Sequence, residues 1–260
     1  MSIKSKLFAA TSALLLAFAC TAASTSDSAY VKQKGALTVG VTEFAPMDYK
    51  DKDGKWIGFD ADLAQVFAKS LGVKCEIQII DWDNKVLELN SKNIDVVWNG
   101  MTLTDEVKSA MSTTNAYLNN AQVVVLPKSV AKKFKKVSDL KKISFAVESG
   151  SAGAKVAKEL GFKVTEVTDQ ATALLEVKSG AQDAAIMDSL MAAAMVGPGT
   201  SYENLVPTFK LNKEEYGVGF RKGSDMVPAL NKLFSKMSKD GSLLKLAKKY
   251  GVQEALIKQK

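Results

Sequence analysis

Asn93-Ile94-Asp95-Val96-Val97-Trp98-Asn99 and Ala181-Gln182-Asp183-Ala184-Ala185-Ile186-Met187-Asp188 carry one pattern twice. Each stretch has an acidic residue, a short apolar run and a polar side chain at its carboxyl end, and each follows a segment with helical spacing. A short apolar run bounded by polar residues reads as a strand buried on both faces, as in a parallel sheet. In open sheets of this kind ligands bind beyond the carboxyl ends of the strands. Two such units facing each other place Asn99 and Asp188 on opposite walls of a cleft.

Working outward, the alternation persists. Leu37 to Val41 reads as a buried strand. Asp60 to Leu71 reads as a helix with Leu63, Val66, Phe67 and Leu71 on one face and Gly72 closing it. Cys75 to Ile80 is a strand, Asn84 to Asn90 a short helix, and Thr104 caps a further helical stretch. Ala121 to Leu126 is an apolar strand ended by Pro127. A second cycle opens with a short helix at Ser138, a strand over Ile143 to Val147, and a helix over Ala152 to Leu160 after the Ser149-Gly150-Ser151 turn. Val164 to Val167, Asp169 to Ser179 and Ala184 to Met187 continue as strand, helix and strand. Tyr216 to Phe220 is a late strand, and Met226 to Lys239 and Leu243 to Tyr250 are amphipathic closing helices. This order predicts an α/β architecture with mainly parallel sheets.

Composition narrows the chemistry. The 260 residues are 47% hydrophobic and 24% charged with a mean hydropathy of −0.02, the balance of a globular chain. There is no histidine, which removes His-based triads, His-ligated zinc and imidazole switching. The two cysteines, Cys20 and Cys75, are too few for a thiolate metal site or a disulfide framework. The net charge of +7 comes from 35 basic residues of which only Arg221 is arginine. Base and phosphate readers favour the bidentate guanidinium, and the densest lysine run, residues 132–142, has only Phe134 among it, so no nucleic-acid partner is expected. No metal is expected either. Met187, Met191 and Met195 have core spacing, and Asp48, Asp51 and Asp53 around Gly54 lack the closing Glu of a calcium loop.

The amino terminus carries Lys4 and Lys6 followed by an apolar run from Leu7 to Ala19, a secretory signal too short to span a bilayer. Cys20 follows Ala19 as in the acylation site of bacterial lipoproteins, although Ala17 stands where leucine is usual; the alternative is a soluble export product starting at Cys20. Residues 1–19 are therefore expected as signal peptide, and residues 20–35 as a lipidated Cys20 with a flexible tether that includes the Thr21 to Ser28 stretch. Cys75, in an apolar setting, reads as a buried structural thiol.

Several stretches together carry a family resemblance: Phe44-Ala45-Pro46-Met47; Gly58 to Ala64; Ile94 to Thr104; Val147 to Ser151; Tyr216 to Lys222; and Asp240 to Leu243 ahead of Leu246 to Tyr250. In this order and spacing, from about Leu37 to Tyr250, the chain resembles the extracytoplasmic solute-binding proteins of polar amino-acid ABC importers. The resemblance implies a two-lobed periplasmic-binding-protein fold, each lobe a mainly parallel sheet flanked by helices, with two hinge strands and closure on a ligand. It implies lobe 1 over residues 36–120 and 217–260 and lobe 2 over residues 121–216. The crossings fall near Asn119 to Gln122 and near Glu215 to Gly217.

Carried over residue by residue, the resemblance implies Phe44 and Trp82 as apolar walls against the ligand, the other reading of both being core packing. Gly100 offers its carbonyl and Thr102 its amide and hydroxyl, within the matched stretch that also holds Asn99 and Met101. Gly150 and Ser151 sit at a helix start that attracts a carboxylate. Asp188 pairs with an ammonium, or is an ordinary helix-capping aspartate. One departure stands out: the arginine that clamps the α-carboxylate in the family falls at Val107. A second is Glu148, where relatives often carry a neutral or basic side chain. With Glu43 and Asp188 it makes the cleft acidic. Three readings follow: Lys108 turns inward, the helix start at Ser151 acts alone, or the ligand lacks a free carboxylate.

The expected function is a binding component that captures an amino acid or related amine-bearing solute and passes it to an ABC permease, as a monomer and without a cofactor. A ligand-sensing receptor subunit and a dehydratase-like enzyme on the same fold are the alternatives. Catalysis is not expected, since no base partners Glu148 and Gly150-Ser151-Ala152-Gly153 is a plain turn.

Overall fold

The computed structural model describes residues 26–259; the expected signal segment and Cys20 lie outside the described residues. In chain order the first part lays down β1 (Ala36–Val41), a hairpin of β2 (Tyr49–Lys50) and β3 (Trp56–Ile57), then β4 (Lys74–Ile79), β5 (Val96–Thr102), β6 (Ser112–Thr113) and β7 (Leu118–Asn120). A second sheet follows from β8 (Gln122–Pro127), β9 (Ser144–Glu148), β10 (Lys163–Val167), β11 (Ala184–Asp188) and β12 (Leu205–Lys210). The chain then returns to the first sheet as β13 (Glu214–Phe220). The strand orders are β4-β1-β5-β13-β6, with β7 also on β13, and β10-β9-β11-β8-β12.

Three neighbouring strands are parallel in each sheet, β4, β1 and β5 in one and β10, β9 and β11 in the other. The rest is antiparallel, so both sheets are mixed. The reason lies in how the chain arrives. A parallel neighbour needs a crossover of about a dozen residues or more. The strands β8 and β13 instead enter straight from the other sheet and run against the strands beside them.

The two crossings lie side by side. Ala121 links β7 to β8, and the return runs between Lys210 and Glu214, where the Leu211 amide donates to the Gln122 carbonyl (2.8 Å). Glu214 to Tyr216 already pair with β7 of the first sheet. The return therefore comes a few residues before the expected Glu215 to Gly217, with residues 214–216 already paired in the first sheet. The polar Asn212-Lys213-Glu214 run, rather than the glycines after it, marks the change of sheet.

The helices α1 (Asp27–Lys34), α2 (Phe59–Leu71), α3 (Lys85–Asn90), α4 (Asp105–Ala110), α5 (Lys128–Ala131), α6 (Ala152–Glu159), α7 (Gln170–Ser179), α8 (Ser189–Met195), α9 (Met226–Lys239) and α10 (Ser242–Lys249) complete the chain. Leu63, Ala64, Phe67 and Ala68 form the buried stripe of α2, while Val66 faces out. Phe67 meets Trp98 and Phe220 edge-on at 6.4 and 6.3 Å, and Trp98 meets Phe234 of α9 at 5.9 Å. The second sheet has its own core, in which Phe145 and Phe162 stack at 4.7 Å.

Residues 27–34, expected as tether, are instead the helix α1, with the Ser26 hydroxyl accepting from the Ala29 amide and Gly35 closing it at φ 78°. Only Val31 is buried, so the apolar signal that marks a helix in sequence is nearly missing. Polar contacts hold it. The Ser28 amide donates to Asp225 (3.0 Å), and Asp27 accepts from Arg221 Nε (2.8 Å). The same guanidinium donates to the carbonyls of Leu89 and Ile94 and lies 3.5 Å from buried Asp95. Removing one partner of a buried ionic cluster strands the other charges. Arg221→Met should therefore lower the unfolding free energy in urea by about 3–5 kcal/mol.

Candidate functional site

A partly enclosed cavity of about 170 Å³ lies between the two sheets. It is lined by Phe44, Trp82, Asn99, Gly100, Met101, Thr102, Glu148, Gly150, Ser151 and Asp188, all expected from sequence. Pockets for drug-sized ligands run to about 300–1,000 Å³, so this one suits a smaller solute.

The first wall is built on the carboxyl end of β5. Gly100 has φ 56°, and a Cβ there would lie 2.6 Å from the Phe44 ring and 3.1 Å from Tyr216. Glycine thus lets the Phe44 ring lie against the strand. The Gly100 amide donates to Asp60 Oδ2 (2.7 Å), which also accepts from the Tyr117 hydroxyl (2.7 Å). Burial lifts Asp60 to about 6. Asn99 is spoken for: its amide oxygen accepts from the Thr42 amide and hydroxyl, and its nitrogen donates to the Thr42 carbonyl and Asp48 (2.8 Å). It braces the wall and has no donor left to offer. Phe44 and Trp82 are 3% and 8% exposed, and so serve both core and cavity.

The opposite wall comes from β9, α6, α7 and β11. Ser151 caps α6 through its hydroxyl, which accepts from the Ala154 amide (3.0 Å). Gly150, at φ 66°, comes so close to Asp83 of the first lobe that a Cβ would lie 2.6 Å from the Asp83 Cα. The lobes are closed on one another here. Lys85 of α3 donates to the Gly150 carbonyl (3.0 Å), and Lys155 of α6 pairs with Glu106 of α4 (2.7 Å).

Asp188, at the end of β11, is buried and caps nothing through its side chain. Its oxygens accept from the Tyr216 hydroxyl (2.6 Å), Gln170 Nε2 (2.5 Å), Gln122 Nε2 (3.2 Å) and Asn120 Nδ2. Glu214 shares Asn120 and Gln122 as donors. Burial first, and the Glu214 charge second, lift Asp188 to about 7. Glu148 is lifted to about 8 by burial and by the Asp188 charge, while Gln170 Nε2 donates to it at 3.4 Å. Its Oε1 has no partner among the described residues.

One expected site residue lies elsewhere, and one of the three readings of the missing arginine does not hold. Glu43 is exposed and lies on an outer groove with Ile79 and Leu175, because Phe44 takes the inward direction where β1 ends. Lys108 is exposed as well, and its carbonyl accepts from Lys222 (2.7 Å). Val107 does line the cavity. The inward cation is Lys85, a residue the sequence reading passed over. Its spacing was legible, since Lys85 and Leu89 stand one helical turn apart and share the buried face of α3. Gln170, which orients Asp188, was missed too, because α7 shows almost no contrast between its faces.

The family model described as bacterial extracellular solute-binding proteins, family 3, matches residues 37–253, and the chain belongs to that family. Among its relatives, the arginine-binding extracellular protein ArtP of Bacillus subtilis is 30% identical, covering 92% of this chain and 94% of ArtP. The L-cystine-binding protein TcyJ of Escherichia coli K12 is 31% identical, covering 85% and 84%. A crystal structure of the P235GK mutant of ArgBP from T. maritima superposes with a TM-score of 0.80 at 33% identity, covering 86% of this chain and 98% of that one. These relatives are named for binding and not for catalysis, and the two-lobed fold is theirs.

The carboxylates make ligand-free stability depend on pH. Glu148 ionises near its usual 4.5 in the unfolded chain but near 8 when folded. Between those values the folded state keeps a proton that the unfolded state has released. Stability is therefore highest near pH 5 and falls toward pH 8, with Asp188 adding to the fall. Urea unfolding at pH 5, 6.5 and 8 should show a loss on the order of a few kcal/mol, and Glu148→Gln should reduce it in part, the remainder coming from Asp188, Asp60 and Asp48.

Proposed function

We propose that the chain is the extracytoplasmic substrate-binding component of an amino-acid ABC importer. It holds an amino acid or related amine-bearing solute between lobes that close about the paired crossings. The observation that carries this is the cavity between the lobes, apolar at Phe44 and Trp82 and acidic at Glu148 and Asp188. The unpartnered Glu148 oxygen and the hydrogen-bonded Asp188 offer acceptors to an ammonium, alongside the Gly100 carbonyl and Thr102. Relatives named for arginine and cystine binding support a nitrogenous solute. We assign residues 36–120 with the β13 return to one lobe, residues 122–210 to the other, and delivery to a membrane permease by the monomer.

The test is calorimetric titration of refolded protein with arginine, lysine, histidine and cystine, their decarboxylated amines where these exist, and succinate as an amine-free anion. Ammonium-bearing solutes should bind and succinate should not; binding of succinate alone would defeat the reading. Asp188→Asn should weaken the bound solute by tenfold or more, since a buried charge pair loses about 2–5 kcal/mol when one partner is truncated. Its ligand-free melting curve separates this from unfolding.

The Cys20 assignment makes its own prediction. With the thiol acylated, the protein should fractionate with membranes and take up labelled palmitate, and Cys20→Ser should abolish the label and release the chain. Wild-type protein found wholly in the soluble fraction would instead mean ordinary export.

A further inference from the structure

Lys85 is the least expected side chain in the cavity wall. The residue is only 9% exposed, its ammonium lies 4.9 Å from the Trp82 ring centre, and it donates to the carbonyls of Trp82 and Gly150 at 3.0 Å each. An ammonium has three protons and these bonds use two. Among the described residues no carboxylate comes within ion-pair distance of it. Burying such a cation is costly unless an anion completes its surroundings.

We infer that Lys85 receives the α-carboxylate of the bound amino acid, in place of the arginine that Val107 does not supply; this rests on the reading of the cavity as an amino-acid site. Three further observations support the assignment. The other cation on the wall, Lys155, is spent on Glu106 and stands half open to solvent, where pairing is screened. Neither acid of the wall pairs with Lys85: Asp188 accepts from Tyr216 and Gln170, and Glu148 accepts from Gln170. The cavity thus carries a cation and two acids that are not paired with one another, which fits the charges of an amino-acid head group. Third, the Gly150 carbonyl that Lys85 grips is one residue from Ser151, where α6 begins, and Ser151 and Ala152 of that helix start line the same cavity as Lys85. Because Lys85 and Gly150 belong to different lobes, this carboxylate contact is complete only when the lobes close.

The test uses the whole exported protein with wild-type Lys85, Lys85→Met, Lys85→Gln and Lys85→Arg. The probes are arginine with agmatine, lysine with cadaverine, and histidine with histamine. Lys85→Met should lower the amino-acid affinity about ten- to hundredfold while the amine of the same pair changes less than about threefold. Lys85→Arg should keep most of the affinity. Lys85→Gln, which retains a donor, gives the same comparison if Lys85→Met does not fold. An equal loss for both members of a pair overturns the assignment and makes Lys85 a lobe latch acting through Gly150. Wild type that binds only the amines overturns it too, and leaves the solute-binding reading standing. Binding of no member of any pair removes both.

Discussion

A buried carboxylate without an ion-pair partner ties this molecule together. Asp188 ends the central strand of the second sheet, yet Asn120 and Tyr216, which donate to it, belong to the first. Gln122 and Gln170 reach it from the second. A single side chain therefore touches both crossings, both lobes and the cavity. Satisfied hydrogen bonds make its burial tolerable, and in a low-dielectric setting each of them counts for more than in water. The arrangement also means that anything bound at Asp188 is felt at once by the two strands about which the lobes can turn.

The cavity's charge is divided. Glu148 and Asp188 line the cavity as acids, with Glu214 sharing the Asn120 and Gln122 donors of Asp188, and Lys85 lines it as a cation bonded to Gly150 next to the α6 start. Val107 and Lys85 line the same small cavity, so a guanidinium at position 107 would add a second positive charge to it. Valine at 107 leaves Lys85 without that second charge, which is a physical reason to read the two positions together and not as a loss on α4 alone. Burial also pulls Lys85 below the ordinary lysine range, while Glu148, Asp83 and Glu106 push it back.

Much of this was legible in the sequence because it rests on short-range patterns. Buried strands announce themselves as apolar runs, and helix ends by Ser151 or Gly72. Gly100 and Asp188 follow from their place at strand ends. What escaped depends on contacts between distant segments. Helix α1 has one buried residue and is held by Arg221 and Asp225, nearly two hundred positions away. The return crossing is set by pairing of Glu214 to Tyr216 with β7, not by a local break. Glu43 and Phe44 compete for one inward direction, and only the end of β1 decides between them. Lys85 had a readable spacing, but a lysine on an apolar face is ordinarily taken for a solvated one, since its stem can lie on apolar surface with the charge in water.

Under the proposed function, the protons held by Glu148 and Asp188 and the ammonium of the solute compete for the same oxygens. Without a ligand, burial keeps these acids protonated to about 8 and about 7, so the closed cavity avoids confining two adjacent negative charges. An arriving cation supplies the opposite charge that lets them ionise, and the protons leave. On that reading, the acidity of the cavity is held largely in neutral form below these values until a positively charged group enters. Lys85 does not play that part, because its bonds go to Trp82 and Gly150. Binding then exchanges protons for a cation at one end and fills an open donor at the other, so the same buried groups that weaken the empty protein at neutral pH are the ones that reward occupancy.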